Sequence, residues 1–461
     1  MTTTGPLAGA IALTRFGLGA RAGDIAAASA DPRGWLLSQI RPQGADIPLS
    51  DGQGSAERLN DFRQLQQARR QARKSGEAAD AIKAALKTAR AQAGADFLAR
   101  ARLGATTDAG FRERWALFFA NHFTVSAVKG VTAPLIGPFE AEAIRPHVFG
   151  RFEDLLLAST QHPAMLLYLD QAQSFGPDSP LARRAQARSG KRVGLDENLA
   201  REIMELHTVG LEAGYSQADV TEFARALTGW SIGGLMESPD RAGHFVFRPF
   251  GHEPGARHIM GRTYAQGGED QARAVLKDLA ASPHTAHHLA FEIAAHFVAD
   301  APPPSLTAKL ARRYAETGGD LAEVAQALVD APEAWAPPPV KFKQPYEFMV
   351  SSWRAAGVVP DDVGKIAPAL TALGQPPFSA PSPKGWSEDA AVWAAPDAIV
   401  KRMAWSEALA AAAAGQSDPM QLADNALGPR LTSAAAKAIS RAETRAEGLS
   451  ILLMSPEFQR R

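Results

Sequence analysis

The chain contains no cysteine, which removes disulfides, zinc–thiolate sites and a cysteine nucleophile from consideration without assigning a compartment. It also lacks an excess of either charge. Lysine plus arginine and aspartate plus glutamate each number 49, so no overall field draws the protein to nucleic acid or anionic lipid, and any basic surface is local. Nucleic acid is not expected as a partner. No stretch approaches the roughly eighteen uninterrupted apolar residues that a membrane span requires; even the alanine-rich run at 408–414 is short and flanked by charge. The N-terminal residues have no basic group before their short apolar run, and Arg15 interrupts that run early, so they make a poor export signal. The expectation is a soluble chain. A nucleophile elbow, a phosphate-binding glycine loop and a strong metal motif are missing as well.

What is present is enough apolar material, 46% of 461 residues, to bury a large core. The pattern is helical almost throughout. Proline and glycine turns between Pro32 and Gly52 allow only short helices, so residues 1–55 read as N-terminal turns and short helices packed on a body. From 56 to 103 the composition changes to Gln, Arg, Lys and Ala, broken near Ser75-Gly76, with eleven basic against five acidic residues. This predicts a projecting basic helical hairpin. Phe111, Trp115, Phe118 and His122 then recur at helical spacing, which predicts a buried helix with Asn121 and His122 at its end. Pro163 fits the first position of a helix that His162 could cap, and Ser216 with Asp219, like Asp320 with Glu323, forms the pattern of a capping box.

Near 245–264 the period shifts toward two. Phe245 and Phe247 read as a strand, Gly251-His252-Glu253-Pro254-Gly255 as a turn, and Ile259 to Tyr264 as the returning strand of one small β-hairpin. Farther on, His284, His288, Glu292 and His296 recur every fourth residue on one helix face, a spacing that could chelate a metal but that seldom closes a site from a single helix. The segment 374–386 holds four prolines and cannot be helical. It is expected to wrap the body as an extended loop or to close over a groove, with Trp386 near its end. The fold class is therefore mainly α: a compact multi-helix body over 104–461 with the projecting hairpin and one small β-hairpin.

The stretch Asp196 to Gly210 reads as a short helix with both ends marked, Asp196 as N-cap and Gly210 past its C-terminus. At about 100° per residue Asn198, Arg201, Glu202, Glu205 and Thr208 share one arc, while Leu199, Ile203 and Leu206 take the other side. Two carboxylates beside an arginine and an amide suit acid–base work or a divalent metal, and they also suit a solvated face carrying an Arg201–Glu205 pair. No metal is named by the pattern. His207 follows Glu205 by two residues, so the Glu-x-x-His arrangement of ferritin-like sites is not formed.

Several segments together resemble an uncharacterised bacterial family, domain of unknown function 1800. They are Arg15-Phe16-Gly17-Leu18-Gly19, Trp115 through Ser126, His162-Pro163-Ala164-Met165-Leu166, Glu197 through Gly210, Gly214 through Val220, Ala226 through Trp230, His252 through Gly255, and Gly374 through Phe378 with Gly385-Trp386. They run nearly the whole chain in order. The resemblance implies family membership, not a reaction; it also implies export and a sulfatase-like partner protein encoded nearby. Two departures stand out: the export signal is missing, so the chain reads as cytoplasmic by its own sequence, and Ser282 stands where a histidine before Pro283 would be expected.

Three functions remain open. In the first, an enzyme brings Glu202, Glu205, His122 and His252 together as catalytic groups, with Asn121, Asn198, Arg201 and Trp386 binding substrate, for acid–base or metal-assisted and perhaps hydrolytic chemistry. In the second, a non-catalytic helical scaffold binds a partner protein. In the third, the basic arm binds an acidic polymer.

Overall fold

The computed structural model describes residues 4–48, 50, 52–64, 78–190, 194–234, 241–413 and 418–461, and over these the chain is mainly helical. The helices that build the site are α1 (Ala78–Thr106), α2 (Gly110–His122), α3 (Asn198–Glu202), α4 (Pro283–Phe297), α5 (Pro345–Ala356) and α6 (Pro396–Ala413). Their order follows the apolar spacing. The aromatic stripe of α2 is fully buried at Phe111, Trp115 and Phe119, and Trp115 packs 5.8 Å from Phe297 of α4. An indole in that position needs a partner for its N–H, and it donates to the Val148 carbonyl at 2.7 Å. Caps fall where the side chains called for them: Ser216 and Asp219 close a capping box, Asp320 accepts from Ala322 and Glu323, and His162 accepts from Ala164 N–H.

The central helix departs from a uniform period. After α3 the backbone widens into a π turn over Ile203–His207, and similar turns occur at Ala12–Phe16 and Glu140–Ile144 among the described residues. The extra residue in a π turn shifts every later side chain around the axis. Thr208 therefore leaves the polar arc where the 3.6-residue period placed it; it is fully buried, with its hydroxyl donating to the Ile203 carbonyl at 2.6 Å. Asp196 still marks the start, accepting from Asn198 N–H, and Gly210 has φ 74°, a conformation that favours glycine.

The β structure is two small antiparallel pairs, so the strand pairing expected across 245–264 is corrected. β1 (Trp230–Ile232) pairs with β2 (Phe245–Phe247), and β3 (Arg257–Ile259) pairs with β4 (Arg262–Tyr264). The reason lies in the turn. Met260 and Gly261 both have positive φ, 47° and 77°, which closes a two-residue hairpin inside the stretch that read as one strand.

The predicted break of the basic arm at Ser75-Gly76 lies outside the described residues. Of the arm's cations, Arg58 pairs with Asp96, Arg100 with Glu140, and Arg63 and Arg102 donate to the Gly233 and Pro360 carbonyls. These four work inside the protein and add little to a polyanion surface. Farther along, Phe97 and Ala101 of α1 pack with Tyr346 and Val350 of α5 and with Leu370. The proline-rich segment then lies across this layer: the Phe378 carbonyl accepts from Ala127 N–H and the Ala380 carbonyl from the Ser126 hydroxyl, both at 2.7 Å. It wraps the body and walls a cavity at once.

Candidate functional site

The residues singled out from sequence separate into three places. Glu202 and Glu205 face one another beside Tyr168 and Tyr215. Burial first and Glu205 second push the Glu202 carboxyl above the usual range, while burial and then Glu202 push Tyr168 up to about 12. Arg201 pairs with Glu197 at 3.1 Å, one turn before it and not one turn after, and also donates to Gln217 at 2.9 Å; Asn198 is exposed. His252 bonds the Thr228 carbonyl at 2.8 Å, and Glu253 beside it accepts from Asp178 N–H, so this turn is braced to its neighbours. No hydrogen bond or ion pair among the described residues joins Glu202 or Glu205 to His122 or His252.

His122 has other partners. Its Nδ1 lies 2.7 Å from Glu292 Oε2 and its Nε2 3.2 Å from the His207 carbonyl oxygen, while His288 reaches the Leu206 carbonyl at 3.1 Å and Glu292 Oε1 at 3.6 Å. Two histidines from different helices thus hold the end of the 203–207 π turn. Burial alone would raise the Glu292 carboxyl, but His122 and His288 outweigh it and hold it below the ordinary range. Burial, with His122 and His288 adding to it, keeps His207 well below the usual imidazole value, hence neutral. The four groups are not arranged as a metal shell: among the described residues no three His, Asp or Glu side chains are placed to hold an ion.

Asn121 and Trp386 do come together, across 265 positions. Asn121 Oδ1 accepts the Trp386 N–H at 2.8 Å and its Nδ2 donates to the Trp386 carbonyl at 3.1 Å, so one amide fixes both backbone groups of that residue. They line a cavity of about 90 Å³ between α1, α2, α4, α5 and the 374–388 segment, together with His296, Gln344, Tyr346 and Glu388. Glu388 Oε1 lies 2.7 Å from His296 Nδ1, and the carboxylate is also held by Lys341 at 3.1 Å and by Gln344 Nε2 at 3.2 Å. A carboxylate on Nδ1 fixes the tautomer that carries its hydrogen there and leaves Nε2 as the basic nitrogen. That Nε2 is buried and has no hydrogen-bond partner among the described residues.

The electrostatics suit a base. Burial lowers His296 by more than Glu388 raises it, so the ring is neutral near pH 7. Burial pushes Glu388 the other way, but His296 and then Lys341 and Arg461 bring it down to about 2. A carboxyl lowered in the folded state contributes stability above its unfolded value, near 4.3, and loses it as the pH falls toward the folded value. The Glu388→Gln variant should therefore show a flatter loss of stability between about pH 4.5 and 2, read by urea denaturation at a series of pH values. An unchanged acid limb would contradict the assigned pairing.

Beneath the pair lies an ionic frame. Glu347 of α5 accepts from Arg114 of α2 and from Arg461, whose Nε and NH2 lie 3.2 and 3.0 Å from its oxygens. Arg114 also donates to the Gly17 carbonyl at 2.6 Å, and Arg461 to the His296 carbonyl at 2.6 Å. Sequence reasoning passed over Glu388, Lys341, Glu347 and Arg461. For His296 and Glu292 the four-residue strip was the available signal, and the structure uses it differently: Glu292 serves His122 and His288, while His296 serves Glu388.

An all-helical body holding a buried histidine–carboxylate pair in a small polar cavity is the class that this geometry defines. The chain belongs to the family described as protein of unknown function (DUF1800), which matches residues 11–460. No curated protein and no solved structure matches it. Among the described residues, no helix is long and apolar enough to cross a membrane.

Proposed function

We propose that the protein is a hydrolytic enzyme in which His296, oriented by Glu388, acts as general base on a water that attacks a small polar group held beside Asn121 and Trp386. The observation that carries this reading is the unpartnered, buried Nε2 of a cavity-lining histidine whose other nitrogen is fixed by a carboxylate. An oriented base next to an enclosed volume is the arrangement that base catalysis requires. Water is the nucleophile because the cavity's hydroxyl side chain, Thr124, is already bonded to the Asn121 carbonyl. Of the residues singled out from sequence, Asn121 and Trp386 enter this mechanism as positioning groups. The sulfatase-like partner implied by the resemblance is not needed to complete the pocket, since the groups named here all come from this chain.

The test is a panel of chromogenic esters, amides, glycosides and phosphate esters assayed with the purified protein and with His296→Gln. Loss of a positioned base costs about 10²- to 10⁴-fold in rate, and the pH–rate profile of the wild type should rise below the usual imidazole value because burial lowers this ring. Turnover that survives His296→Gln, or no turnover in any arm of the panel, refutes the proposal and returns the scaffold reading to first place.

A further inference from the structure

The inner cavity is too small to hold a whole substrate of ordinary size. Its volume of about 90 Å³ compares with roughly 300–1,000 Å³ for sites that enclose a small-molecule ligand. A second hollow of about 460 Å³ adjoins it, sharing Pro376 and Trp386 as a common wall. We infer that this hollow is an outer subsite for an unbranched alkyl chain, so that the ligand is an amphiphile with a compact polar head at His296 and its chain between Trp386 and Trp393.

The lining decides the chemistry. Leu373, Pro376, Pro381, Trp386, Val392 and Trp393 form most of the wall, and Val392 is 50% exposed in the empty hollow. The polar groups within reach are already engaged: the Trp393 indole N–H donates to the Ser387 carbonyl at 2.7 Å, the Ser379 hydroxyl to the Pro377 carbonyl at 3.0 Å, and Asp397 pairs with Lys401 at 3.1 Å on the rim. A hydroxyl-rich ligand such as a sugar would lose water and gain few bonds here. An alkyl chain needs none. A flat aromatic ligand fits less well, since the two indoles meet at 56° with centroids 6.3 Å apart and leave no parallel-sided slot. Trp386 is rigid at the junction because Asn121 holds both its backbone groups, so the entrance from hollow to cavity keeps its shape.

This inference rests on the catalytic reading only for what happens at the head; binding of the chain stands apart from turnover. The experiment titrates the full-length protein with straight-chain carboxylic acids of about four to ten carbons, following tryptophan fluorescence and calorimetry. Burial of one methylene is worth about 0.8 kcal/mol, so affinity should rise about fourfold per added carbon until the hollow is full. Val392→Asp puts a charge on the lining at an exposed position with no core to disturb, and should reduce the increment to less than about 1.5-fold per carbon. Val400→Asp, at another exposed valine outside the hollow, should leave the increment intact. His296→Gln should keep the chain-length dependence, so that failure of catalysis with a retained increment counts against the base and not against the hollow. Affinity that is independent of chain length, or an increment that Val392→Asp leaves unchanged, overturns the inference.

Discussion

Replacing Glu347 by glutamine should destabilise the protein by about 3–5 kcal/mol, the usual result of removing one partner from a buried ion pair. Glu347 accepts from Arg114, from Arg461 and from the backbone N–H of Gln344 at 3.0 Å, and all of these groups are buried. Burial by itself would push its carboxyl up, yet Arg114, Arg461 and His296 hold it far below the ordinary range. The amide cannot offset the charges it faces. Two guanidinium groups would remain in the interior without a counter-ion, and the Gly17 and His296 carbonyls to which they donate would shift with them. Urea denaturation reads the effect directly, as a lower midpoint at unchanged slope. A loss below about 1 kcal/mol would mean that water reaches the frame and screens it. The double variant Arg114→Met with Glu347→Met should recover part of the loss, because it removes the buried charge and the counter-charge together.

Replacing Lys343 by methionine should do the reverse and stabilise the fold, by about 1–3 kcal/mol. The Lys343 amine is buried, sits 4.0 Å from the Phe458 ring centroid and donates to the Ser351 hydroxyl at 3.0 Å, with no carboxylate in contact. Burial, with Arg430 adding to it, drives its pKa well below the ordinary lysine value. The unfolded chain therefore binds a proton that the folded chain does not. Stability must then increase as the pH is raised from neutral toward the ordinary lysine value near 10.4, and Lys343→Met should remove that increase. The change leaves Ser351 satisfied, since its hydroxyl also donates to the Phe348 carbonyl at 3.0 Å. A less stable variant, or one with the same pH slope, would show that the amine is charged in the folded state.

Much of the helical framework was legible because its signals are local. A stripe such as Phe111, Trp115 and Phe118, or a cap such as Ser216 with Asp219, is written within a few residues and reads the same in any context. The strand pairing was less so. Trp230 follows Thr228-Gly229, which punctuates a helix end, and nothing nearby says that Trp230–Ile232 takes Phe245–Phe247 as its partner. The π turn at 203–207 escapes a period analysis for a related reason: one extra residue alters the phase without altering the composition. The site was least legible, because its bonds join distant positions. Asn121 to Trp386, His296 to Glu388 and Glu347 to Arg461 are each separated by 92 residues or more. Glu388 follows a proline-rich loop and resembles any surface acid until the fold sets it against His296. The polar arc of the central helix drew notice for the opposite reason, since Glu202 and Glu205 announce themselves locally and their neighbours turn out to be tyrosines.

The π turn has a consequence for how the chain tolerates changes in length. It spends one residue more than an α-helix over the same advance, so deleting a single residue within 203–207 would let the helix run on regularly and rotate everything after it by about 100°. The Leu206 and His207 carbonyls would swing away from His288 and His122, and Gly210, where a β-carbon would come within 2.9 Å of the His288 ring, would lose its close approach. The spacing of this segment is therefore as constrained as its residues: substitutions on its outer face are cheap, and an indel of one is not.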